Sequence, residues 1–108
     1  MSNAVRNDVK ALVIKELTAA NEKFPPFYSA HEGYAIMLEE VEEADEEMSS
    51  LKGSIKALWD FGVKHNSKYE IKTLACTMYE CAEKLACEAI QVAAMAEKML
   101  VFLDKQEG

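Results

Sequence analysis

Residues 67–103 read SKYEIKTLACTMYECAEKLACEAIQVAAMAEKMLVFL, with no glycine or proline anywhere in the run. Ser67-Lys68-Tyr69-Glu70 has the S-x-x-E form of a capping box, in which the first hydroxyl accepts from a backbone N–H three residues on. Behind it Leu74, Met78, Cys81, Leu85, Val92, Met95, Ala96, Met99 and Leu103 recur at steps of mostly three and four, so the whole stretch reads as one amphipathic helix. At 1.5 Å per residue it spans on the order of 50 Å, whereas a compact domain of about 100 residues has a radius of gyration near ~13 Å. A helix of that length projects beyond a monomeric core, and pairing with another copy is the simplest way to cover its stripe. The expectation is therefore an all-α fold: a bundle of long antiparallel helices, completed by homo-oligomerisation as a dimer or tetramer.

The preceding sequence supplies the other helices. Val5, Val9, Leu12, Val13, Ile14 and Leu17 predict a first one over about residues 4–22, stopping before Pro25-Pro26. The connection Phe24-Pro25-Pro26-Phe27-Tyr28 is stiff and extended, and its aromatics are expected to pack back on the bundle. Ser29-Ala30-His31-Glu32 is a second capping box and opens a helix over about residues 30–63. Its apolar stripe reads Tyr34, Met37, Leu38, Val41, Ala44 and Met48, with Gly53 as a point of weakness and Lys64-His65-Asn66 as the loop that follows.

Composition limits the function classes. The chain has 108 residues, half of them apolar, and a formal net charge of −7. That predicts a single domain with a real core and a surface that repels a phosphate backbone, which argues against nucleic acid as a partner. No apolar run is long enough for a membrane span and no signal-peptide pattern opens the chain, so the expected location is cytoplasmic. The three cysteines, Cys76, Cys81 and Cys87, read as reduced core thiols, and two histidines are too few and too far apart for a zinc site.

Two features call for chemistry. In the third helix the position that completes the spacing between Leu85 and Val92 is Glu88, an acid on a core-facing stripe; it must be protonated, paired or metal-bound, or else sit at the stripe's edge beside Lys84. In the second helix Glu39-Glu40-Val41-Glu42-Glu43-Ala44-Asp45-Glu46-Glu47 holds seven acids in nine positions. Such a run is either a solvated face or a ligand set. Glu40 and Glu43 share a face, and with a third carboxylate from a facing helix they could surround a hard divalent cation such as Mg²⁺, which retains open positions for substrate phosphates.

These residues resemble a known family. Glu39-Glu40-Val41-Glu42-Glu43 matches the E-E-x-x-E motif of the MazG-like all-α nucleoside triphosphate pyrophosphohydrolases. His31-Glu32-Gly33-Tyr34-Ala35 and the segment Glu88-Ala89-Ile90-Gln91-Val92-Ala93-Ala94-Met95-Ala96 resemble a small MazG-like subgroup of phage and prophage genomes. The resemblance covers about residues 27–100 and implies Mg²⁺-dependent hydrolysis, with Mn²⁺ as a substitute ion, of ribo- or deoxynucleoside triphosphates to monophosphate and pyrophosphate. It implies Glu40 and Glu43 as metal ligands and Glu39 as a further ligand or water-positioning base. The chain departs from the family's second motif, E-x-x-D: here Glu88-Ala89-Ile90-Gln91 offers Glu88 and, in place of the second acid, the amide of Gln91.

Around that expected metal, Lys84 and Lys98 either contact phosphate oxygens or simply solubilise the helix. Trp59, Phe61, Tyr34 and Phe27 either stack on a base or fill the core. His31 enters the site by resemblance alone. The competing reading is a catalytically inactive helical module that binds a nucleotide or a protein partner, and Gln91 favours it.

Overall fold

The computed structural model describes residues 4–107, and among these there is no strand. Helix α1 spans Arg6–Lys23, α2 spans Ala30–Ala57 and passes into a π-helical stretch over Leu58–Val63, and α3 spans Lys68–Glu107. The all-helical expectation holds, with the long third helix continuing to 107 rather than 103. No helix among the described residues is long and apolar enough to cross a membrane.

Each helix end has a local cause. Phe24 precedes Pro25 and takes an extended backbone (φ −130°, ψ 145°), which stops α1; its N–H still donates to the Ala20 carbonyl at 2.9 Å. Both capping boxes act as read. The Glu32 N–H donates to Ser29 Oγ at 3.1 Å and the Glu70 N–H to Ser67 Oγ at 3.4 Å. Between the π-helical stretch and α3, Asn66 adopts the left-handed conformation (φ 50°), which asparagine tolerates better than most residues. The Ser67 N–H donates to the Gly62 carbonyl at 3.0 Å and the Asn66 N–H to the Val63 carbonyl at 3.1 Å. That pair of bonds is a Schellman ending, so the predicted loop is a helix stop followed at once by a helix cap on Ser67. Gly53 does not interrupt α2; nothing lies within 4 Å of where its side chain would be.

The chain packs as two compact units. The first comprises the residues up to Val41 with those from Glu88 onward, hence α1, the start of α2 and the second half of α3. Here Gly33 of α2 sits so close to α3 that a Cβ would crowd Met99 and lie 3.0 Å from Phe27 Cδ2. As α2 advances from Gly33 to Glu40, its neighbour in α3 retreats from Met99 to Gln91, so the two helices run antiparallel. The second unit is Glu42–Cys87, where α2 ends and α3 begins. Gly62 lets that corner close: a Cβ there would stand 3.1 Å from Ile71 Cγ1.

The inward face of α3 is the one expected, with Leu74, Met78, Cys81, Leu85, Glu88, Val92, Met95, Ala96 and Met99 at least half-buried; only Leu103 is exposed, and Phe102 takes its place. The face of α2 is not. Tyr34, Leu38, Val41 and Met48 are exposed, and the half-buried row is Met37, Glu40, Ala44, Glu47, Leu51, Ser54 and Leu58, led by buried Gly33. This row alternates steps of four and three without a break, the spacing of a close-packed helical seam. Relative to the expected stripe the helix is turned by about one residue, ~100°. Small residues such as Gly33 and Ala44 allow the close approach of α3, and the larger apolar side chains are left outside.

Two further expectations change. Cys76 and Cys87 are exposed and only Cys81 is half-buried, because steps of five and six from Cys81 leave the seam. Of the aromatics, Phe27 is buried at 4 % exposure, whereas Tyr34, Trp59 and Phe61 lie outside, as do Phe24 and Tyr28 of the proline connection.

Candidate functional site

The turn of α2 answers what the acidic run does. Glu39, Glu42, Asp45 and Glu46 face solvent, while Glu40, Glu43 and Glu47 are half-buried on the inward side. In the first unit Glu40 and Glu88 therefore meet across α2 and α3, each offering a carboxylate oxygen within 4.8 Å of the other. Glu43, one turn further along α2, is half-buried and belongs to the second unit. Exposed acids often gather without an ion; these are half-buried, and like charges at this spacing repel unless something lies between them.

Gln91 lies between two of them. Oriented by its hydrogen bonds, its amide nitrogen donates to Glu40 Oε2 at 2.6 Å and to Glu88 Oε2 at 3.3 Å. The donor faces the carboxylates because Glu88 precedes Gln91 by three positions on one helix face and Glu40 arrives from the antiparallel neighbour. A short neutral donor thus stands where a cation would otherwise relieve the two acids.

A cleft of about 620 Å³ opens beside this cluster, entirely within the first unit. Its lining includes the acids Glu16, Glu32, Glu39 and Glu40, the amide of Gln91, and Lys23, Phe27 and Lys98. Lys98 is the least ordinary of these. It is only 6 % exposed, and no carboxylate among the described residues pairs with it; its ammonium lies 4.9 Å from the centroid of the Phe27 ring. A cation over a ring face is attracted by the ring quadrupole, but a ring accepts no proton from the ammonium, so the group retains its capacity to bind an anion. Buried Phe27 in turn holds the lysine stem in place.

The sequence candidates separate accordingly. Glu39, Glu40, Gln91 and Lys98 line one cleft, with Glu88 adjoining Glu40 and Gln91. His31, Lys84 and Trp59 are exposed and line neither this cleft nor the one described below. Lys23 enters the lining unannounced, beside Phe27, which the sequence offered as a stacking or a core residue. The signal for Lys98 was present, since Gln91, Met95 and Lys98 follow at i, i+4 and i+7 and so share a face.

Compared with known protein families, curated proteins and solved structures, the chain matches no family model, no curated protein and no solved structure.

Proposed function

We propose that this chain is a nucleoside triphosphate pyrophosphohydrolase of the MazG-like kind, using Mg²⁺ or, in its place, Mn²⁺. The observation that carries the reading is Lys98, a nine-tenths-buried cation with no carboxylate partner among the described residues, on the wall of the cleft that also carries Glu39 and Glu40. Acids and an anion-seeking ammonium lining one cleft suit a ligand that is itself anionic and carries a divalent cation. The facing carboxylates of Glu40 and Glu88 fit a hard cation of this type. When bound, such an ion offsets charge on the phosphates and lowers the pKa of water near it. Lys98 would neutralise a phosphate oxygen, and Glu39, exposed on the cleft wall, would orient and deprotonate the attacking water. The water oxygen bonds to phosphorus, the link between the α- and β-phosphates breaks, and pyrophosphate leaves with the electron pair.

Gln91 supports a second reading, a module that binds nucleotide without turnover. Its amide already satisfies Glu40 and Glu88, so a metal must displace it, and affinity for the ion falls by the strength of those bonds. In either reading we infer a homo-oligomer. Tyr34, Leu38 and Val41 in the first unit, and Met48 and Ile55 in the second, are exposed apolar residues of α2, each at least 39 % accessible, and such exposure favours cover by another surface.

The test is pyrophosphate release from a panel of ribo- and deoxynucleoside triphosphates with Mg²⁺ or Mn²⁺. Glu43→Gln should lower the release at least a hundredfold. Binding of a triphosphate without release by the wild type would select the second reading, and neither binding nor release would reject both.

A further inference from the structure

A second cleft, of about 360 Å³, lies against the first in the same unit. The two share Phe24, Phe27 and Lys98 as a common wall. Beyond that wall the chemistry changes. Among the described residues the second cleft is lined by no acid; its charged groups are Lys98 and Lys105. Rings line it on several sides, from Phe24, Phe27, Tyr28 and Phe102, and two amides, Asn21 and Gln106, complete its polar edge. Phe24 and Tyr28 are 62 % and 81 % exposed, so two aromatic faces stand open at its mouth.

We infer that this second cleft receives the nucleoside end of a nucleotide whose outer phosphates lie in the first cleft, with Lys98 at the divide between them. The inference rests on the proposed function for the placement of the phosphates and adds the location of the base. Flat aromatic heterocycles stack on exposed rings, and stacking tolerates any base, while side-chain amides can both donate to and accept from a base edge. A cleft with two cations and no acid also suits the α-phosphate, which stays with the nucleoside after cleavage. The span is adequate. From Gln91 to Phe102 is eleven positions of α3, about 16 Å at the rise of a helix, which is the scale of an extended nucleoside triphosphate. The volumes, about 620 and 360 Å³, both lie in the range of small-molecule sites.

The experiment is a set of titrations of the full chain with Mg²⁺ present, using the adenosine, guanosine, cytidine and uridine triphosphates and inorganic tripolyphosphate. The tightest nucleotide should bind at least tenfold more strongly than tripolyphosphate. Tyr28→Ala and Asn21→Ala both change exposed side chains that line the second cleft alone, so the fold is retained. Each should cut that advantage at least fivefold while leaving tripolyphosphate affinity within twofold. Equal binding of nucleotides and tripolyphosphate to the wild type would overturn the nucleoside subsite and leave the phosphate site standing. An undiminished advantage in both variants would do the same. Binding of neither probe would overturn the proposed function and the subsite with it. If the variants change the sedimentation of the protein and not the ratio of affinities, the cleft is a contact between copies and the inference fails.

Discussion

The two units of the chain distribute polarity in opposite ways. In the first, a ring and a lysine, Phe27 and Lys98, are buried beside Ala94, and a half-buried glutamine bridges two half-buried acids. In the second, Gly62 is the sole buried residue among those described, while Met48, Ile55, Trp59, Phe61, Tyr69 and Tyr79 are exposed. Burying polar groups costs free energy that packing alone does not return, and exposing large apolar groups forgoes the stabilisation of burial. The first arrangement makes sense for the polar ligand proposed above, and the exposed apolar groups, which in the first unit include Tyr34, Leu38 and Val41, for the proposed assembly.

The largest expected effect tests the assembly side. Met48→Glu combined with Ile55→Glu places two charges on the exposed stripe of α2 and should reduce the protein to monomers, read as a loss of mass by sedimentation equilibrium. A wild type that is already monomeric would remove this half of the contrast.

Lys98→Met tests the ligand side. Methionine keeps the stem and removes the charge, so triphosphate affinity should fall at least tenfold while the ligand-free protein gains about 1 kcal/mol in denaturant unfolding, because an unpaired buried charge has gone. A loss of stability would mean that the Phe27 contact is the reason for Lys98 and that the anion is not. Gln91→Asp sharpens the same point: it removes the amide between Glu40 and Glu88 and adds a third acid, so the ligand-free melting temperature should drop and Mg²⁺ should bind about tenfold more tightly. Calorimetric titration with Mg²⁺ alone reads this, and unchanged affinity would show that Gln91 does not occupy a cation's place.

The smallest effects compare two glycines of one helix. Gly33→Ala forces Met99 and Phe27 to shift; overpacking of about 1–3 kcal/mol outweighs the ~1 kcal/mol gained in helix propensity, for a net loss of about 1 kcal/mol. Gly53→Ala meets nothing and should stabilise by about 0.5–1 kcal/mol. Thermal unfolding of the pair decides it; equal shifts would mean that the close approach at Gly33 is not sterically demanding.

What could be read beforehand follows from the same physics. The capping boxes at Ser29 and Ser67, the proline stop after α1 and the seam of α3 depend on a few neighbouring residues, and all are legible. The rotation of α2 depends on its partner. An apolar count points Tyr34, Leu38 and Val41 inward, but close approach to α3 selects Gly33 and Ala44, and the acids at Glu40 and Glu47 come along because they lie on that row. Glu88 was identifiable because α3 has a single continuous stripe in which an acid stands out. The burial of Lys98 was not, since it depends on Phe27 crossing back from the proline connection. Nor does any rule of composition predict that an amide will stand between Glu40 and Glu88.

The corner at Asn66 and Ser67 also sets an order of events. Gly62 and Ile71 are nine positions apart, Glu40 and Gln91 fifty-one, and Gly33 and Met99 sixty-six. Each later contact closes a longer loop, and closure is less costly once the shorter one exists. The chain therefore zips from the corner outward, and the carboxylate–amide cluster forms only after most of the pairing is in place. By the same gradient, amide protons near Ile71 should exchange more slowly than those near Gly33.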